Sequence, residues 1–183
     1  AGDATISNAA PINGLDQRGI NRTTSDIGAY SYGIQVTTTA DAGAGSLRQA
    51  IDDANSSPGN DQISFNLTGT NPYTITLATA LPNIVDESTA GTLTINGLGA
   101  SSLTIDASGG NFSIFSIDTG GNLSVSGVTV SGSNINGNGG AFNNSGTLSI
   151  SNSTISVNSA TVGGGIENRV GGILTVTNST ISG

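Results

Sequence analysis

The chain has 183 residues, 34% of them hydrophobic, with 28 glycines and neither cysteine nor histidine; that allows one ordinary domain with a core and argues against a compact helical bundle. Four Lys and Arg against twelve Asp and Glu leave a formal net charge of -8, which repels phosphate backbones and anionic lipid surfaces and excludes nucleic acid as a partner. Without cysteine there are no disulfides and no thiolate metal sites, and no apolar run approaches the length of a membrane span. The chain begins at Ala1 with neither Met nor a signal-like segment, as expected of a processed chain or an excerpt.

In chain order, the first predicted element is a helix in "GSLRQAIDDANSSPG". Ser46 is placed to cap it, and Gln49 three residues on completes a capping box. Leu47, Ala50, Ile51 and Ala54 form one apolar stripe, Arg48 and Asp52 make a weak surface pair, and Pro58-Gly59 stops the helix. Two strand-like runs follow around Ile63 and Phe65 and around Ile75 and Leu77. Alternation then continues with less regular lengths through Leu93, Ile95, Leu103, Ile105, Phe112, Ile114 and Phe115.

Beyond residue 120 the chain repeats itself. "GGAFNNSGTLSISNSTIS" (Gly139 to Ser156) is followed by "GGGIENRVGGILTVTNSTIS" (Gly163 to Ser182), which sets Leu148, Ile150 and Ile155 against Leu174, Val176 and Ile181. Leu123, Val125 and Val130 stand one unit earlier. Each copy alternates apolar and polar positions, the period of a strand with one buried face. A unit of about 25 residues, too small to bury its own face, indicates a stacked solenoid. Strands, Gly-rich corners and no helix in the repeat make that solenoid an all-β parallel β-helix of five or six coils, with the short amino-terminal helix covering the open end of the stack. Asn152 with Asn178, and Asn144 with Asn168, occupy matching corners, so each pair is expected to stack as an amide ladder about 4.8 Å apart. Gly139, Gly140, Gly163, Gly164 and Gly165 fit a corner that needs positive φ or close backbone approach.

The "VTTTADAGAGSLRQAIDDAN" opening, taken with "GGAFNNSGTLSISNSTIS", resembles bacterial surface and secreted proteins with right-handed parallel β-helix repeats, of the polymorphic outer-membrane and autotransporter-passenger type. The resemblance spans Val36 to Gly183 and implies an extracellular or cell-surface scaffold or adhesin. "INGLDQRGINRTTSDIGAYSYG" resembles the tail that follows the last coils in such proteins and leads into a choice-of-anchor region, with Asp16, Arg18 and Asp26 matching its motif. Here it precedes the capping helix. The expected division is therefore residues 1–34 as a tail-like joint, 35–60 as a first strand and capping helix, and 61–183 as the coils. Leu174, Val176 and Ile181 would face water in a terminal coil, and a contact between that bare end and a different surface propagates head to tail. The expected partner is a second copy, through residues 1–34 and the carboxy-terminal coils. The alternative is an excerpt of a large monomeric adhesin. Carbohydrate or other surface components are further partners that the resemblance allows.

Other chemistry reads weakly. Hydrolases on parallel β-helices need carboxylates paired across a cleft, whereas Asp52-Asp53 and Asp86-Glu87 are adjacent and Asp106 and Asp118 isolated. A polygalacturonase-like site would bring His and Lys, and a lyase-like site a basic residue beside calcium; Arg169 has only Glu167 close in sequence. No catalytic residue and no cofactor is assigned. Calcium has oxygens at Asp106, Asp118 and "SNINGNGG" but no loop of recognised spacing. Matching Ser124 and Ser126, Ser149 and Ser151, and Thr175 and Thr177 make an outward hydroxyl array of the kind that would meet ice or carbohydrate, or simply a wet strand face. Asn-x-Ser/Thr sequons, among them Asn66, Asn111 and Asn122, arise readily in so Asn- and Ser-rich a chain.

Overall fold

The computed structural model describes residues 32–57, 59–85 and 91–183. Strand β1 (Tyr32–Val36) opens the first turn and is followed by helix α1 (Leu47–Asn55). β2 (Asp61–Phe65) and β3 (Tyr73–Thr76) form the second turn, and β4 (Leu93–Asn96), β5 (Leu103–Asp106) and β6 (Phe115–Ile117) the third. The fourth holds β7 (Asn122–Ser126), β8 (Thr129–Ser131), β9 (Asn134–Asn138) and β10 (Phe142–Asn144). The fifth repeats it as β11 (Thr147–Ser151), β12 (Thr154–Ser156), β13 (Ser159–Val162) and β14 (Ile166–Asn168), and β15 (Ile173–Thr177) and β16 (Thr180–Ser182) begin a sixth.

Every strand pairs in parallel with its counterpart one turn away, giving a six-stranded sheet in the order β1-β2-β4-β7-β11-β15 and a five-stranded sheet in the order β16-β12-β8-β5-β3. A three-stranded sheet, β14-β10-β6, and the pair β13-β9 complete the walls. The described residues form a right-handed parallel β-helix with one short helix, about 25 Å long at the ordinary strand spacing.

Register turns the sequence repeat into a core. Ile63, Ile95, Val125, Ile150 and Val176 align across the first sheet, and Ile75, Ile105, Val130, Ile155 and Ile181 across the second. Between the sheets these rows meet as the core, and Phe115 stacks on Phe142 with ring centroids 5.1 Å apart. Each fully buried side chain of this kind stabilises the fold by about 1.5–3 kcal/mol.

The helix lies where the sequence predicts and covers the first coil. Ser46 Oγ accepts from the Gln49 amide at 3.2 Å, and Leu47, Ala50, Ile51 and Ala54 are buried against β1 and β2. Three details differ from expectation. The Gln49 side chain donates to Asp53 at 2.8 Å instead of turning back to Ser46, so only half of the capping box forms. Arg48 pairs with Asp41 at 2.7 Å, not with Asp52, and also donates to the backbone carbonyls of Asp41, Thr79 and Ala80; a fork-shaped guanidinium gains more from four fixed oxygens than from one exposed carboxylate a turn away. The boundary placed between residues 34 and 35 cuts through β1, because Tyr32 to Val36 pair in full with Asp61 to Phe65.

Candidate functional site

The corners come first, because they set the outward faces. Asn144 and Asn168 are register partners, and Asn144 Nδ2 donates to Asn168 Oδ1 at 2.6 Å and to the Ile173 carbonyl at 3.0 Å. The Asn144 Oδ1 accepts from the Gly146 amide, which leaves this fully buried side chain satisfied. Asn152 and Asn178 are a correction to the ladder reading. Both are exposed, no hydrogen bond joins their side chains, and they have φ of 49° and 45° beside Gly127 at 65° in the preceding turn. Asn is chosen there because it tolerates the left-handed conformation that Gly otherwise supplies. The rung at that corner is the next residue: Ser179 Oγ accepts from the Ser153 amide at 3.2 Å, and Ser153 Oγ accepts from the Val128 amide at 3.3 Å. At the Gly-rich corner, Gly139 and Gly163 have positive φ, and a Cβ on Gly140 would strike the Gly164 carbonyl.

Three of the acidic residues link neighbouring coils. Asp106 accepts from Ser131 Oγ at 3.1 Å, Asp118 accepts from Asn83 at 3.1 and 3.2 Å, and Glu167 takes Asn138 and Arg169. Among the described residues no three of His, Cys, Asp and Glu come together. Asp16, Arg18, Asp26 and the Asp86-Glu87 pair lie outside the described residues. A hollow of about 30 Å³ under the helix, lined by Ala54, Ser57, Asp61, Ile84 and Leu93 among others, has room for a single water.

Two outward faces carry hydroxyls. On the first sheet Thr94, Ser124, Ser149 and Thr175 form one row, and Asn96, Ser126, Ser151 and Thr177 the next, so the Ser and Thr positions singled out from the repeat do lie side by side. The second sheet carries a row of one residue type: Thr74, Thr104, Thr129, Thr154 and Thr180 are successive register partners over five turns. Thr129 Oγ1 donates to the Ala100 carbonyl at 2.7 Å; among the described residues the other four hydroxyls have no protein partner. This row escaped the sequence reading because its spacing is uneven in the early turns. The signal was the Thr that precedes each inward Ile or Val, from Thr74-Ile75 to Thr180-Ile181.

The last coil is the third feature. Leu174 is half-buried, Val176 is 37% exposed and Ile181 53%, whereas Ile150 and Ile155, one turn earlier in the same rows, are at 0% and 1%. Ile173, in register with the outward Thr147, is also exposed in this coil.

Geometry of this kind defines a right-handed β-solenoid with a helix-covered first coil and an uncovered last described one. Comparison with known proteins finds no matching family model, no matching curated protein and no matching solved structure. No helix among the described residues is long and apolar enough to cross a membrane.

Proposed function

We propose that this chain is a structural component of an extracellular or cell-surface assembly, a bacterial surface-fibre subunit that associates head to tail instead of catalysing a reaction. The observation that carries the reading is the stack itself: Ile75, Ile105, Val130 and Ile155 form one inward row at 0–1% exposure, so each coil is completed by its neighbours. The last described coil, with Val176 at 37% and Ile181 at 53%, presents apolar rows and strand edges that a further coil, of the same chain or of a second copy, would cover. The polar, lysine-free outer faces suit a long-lived exposed surface with few sites for trypsin-like cleavage. At the opposite end α1 occupies the interior, so a second copy does not continue the rows by simple stacking. The proposed cover from a neighbouring copy is the tail-like segment 1–34, less the residues from Tyr32 that pair within β1.

Negative-stain electron microscopy with light scattering over a concentration series tests this. The full chain should form filaments with an axial repeat near one subunit length. A variant lacking residues 1–31, which keeps β1 intact, should stay monomeric. Equal assembly of both would remove the tail from the joint, and a monodisperse full chain at every concentration would remove the head-to-tail reading.

A further inference from the structure

The scaffold reading leaves the outer face of the five-stranded sheet without a role. Thr74, Thr104, Thr129, Thr154 and Thr180 stand there in one register row, and Thr76, Asp106, Ser131, Ser156 and Ser182 in the parallel row two residues on. Stacked strands repeat every ~4.8 Å along the solenoid, and residues two apart in a strand are separated by ~7 Å. The face is therefore a rectangular grid of nine hydroxyls and one carboxylate, Asp106.

We propose that this face binds crystalline water, with the threonine row seated on an ice surface. The repeat along the row is close to the shortest lattice translation of hexagonal ice, so waters held by successive threonines already sit at lattice-like intervals. Threonine suits this better than serine. Its branched Cβ restricts χ1 and fixes the hydroxyl direction, and its methyl leaves the neighbouring water no competing partner. Four of the five hydroxyls have no protein partner among the described residues and remain available to water. A rigid row of hydroxyls orders several waters at once.

Strand propensity alone does not account for the row. The first sheet is equally outward-facing, yet it uses Ser124, Ser126, Ser149 and Ser151 in the fourth and fifth turns, where this row uses Thr129 and Thr154. The charge pattern also fits a neutral ligand, since Asp106 is the one charged residue of the two rows and is engaged by Ser131. Neither row contains an aromatic side chain, and Tyr73, the nearest, lies in register with the inward Leu103. The face thus lacks the flat platform on which sugar rings stack.

The test is the growth habit and thermal hysteresis of single ice crystals in solutions of the full chain. The native chain should facet the crystals and open a hysteresis gap. Thr104→Tyr/Thr154→Tyr should abolish both effects, while Ser124→Tyr/Ser149→Tyr on the other sheet should retain them; Tyr is at home in strands, so both pairs keep the fold. Should the threonine pair fail to fold by circular dichroism, Thr104→Ser/Thr154→Ser removes only the methyls and should still narrow the gap. Unaltered ice growth with the native chain overturns the proposal, as does equal loss in both Tyr pairs. Retention on insoluble cellulose or chitin that depends on the threonines, without any effect on ice, also overturns it and makes the ligand a neutral polysaccharide.

Discussion

At the amino-terminal end, Ile34 and Ile75 begin the two inward rows and are buried, and α1 packs its buried Leu47 and Ile51 against β1 and β2 there. At the other end, Val176 and Ile181 continue the same rows at 37% and 53% exposure. The residues are of one kind and the backbone is of one kind; only the cover differs. In a solenoid the middle coils obtain their burial from their neighbours, so special sequence is needed only where a neighbour is missing. The capping helix is such a sequence, with its apolar stripe and its Ser46 cap.

That contrast can be broken most severely at the cap. Ile51→Asp places a carboxylate among apolar side chains, and we expect a loss of several kcal/mol, read as a collapse of the urea midpoint or as failure to fold. The next test sharpens the contrast within one row. Leu123→Ala in the middle of the stack should cost about 2–5 kcal/mol and Leu174→Ala at the open end under ~1 kcal/mol, so near-equal midpoints for the two would show that the end coil is as well packed as the centre. Asn144→Ala removes a buried amide from the Gly146 amide and the Ile173 carbonyl and should cost about 1–3 kcal/mol, whereas Asn152→Gly at the exposed left-handed corner should leave the midpoint nearly unchanged. One further effect has the opposite sign. Val157 has φ of 56°, a conformation its branched side chain resists, at a corner that Gly132 occupies one turn earlier; Val157→Gly should stabilise by about 1 kcal/mol, and a lowered midpoint would contradict the strain.

Much of the fold is legible in the sequence for the reason that makes it stable. Period-two alternation repeated every turn names the inward residues directly, and Leu148, Ile150 and Ile155 are where that pattern places them. Helix α1 is equally local, fixed by an apolar stripe and a cap. The corners were less legible. An Asn at the same place in successive coils suits both a ladder and a left-handed turn, and only backbone geometry separates Asn144 from Asn152. Arg48 finds oxygens on Thr79 and Ala80, about thirty positions away, which no local rule of helix pairing anticipates. The start of β1 at Tyr32 depends on pairing with Asp61, a partner beyond the helix. The threonine row was written in the sequence but out of step, since the early turns are longer than the later ones.

The account rests on the uncovered coil being a receiving surface, and one measurement addresses it directly. Val176→Arg/Ile181→Arg puts two charges on that end and leaves the coils beneath it untouched, and sedimentation equilibrium of this variant beside the native chain reads the consequence. The account predicts that the native chain associates with rising concentration and that the variant remains a folded monomer. Association of the two to the same degree would contradict it, because the joint would then lie somewhere other than the end of the apolar rows.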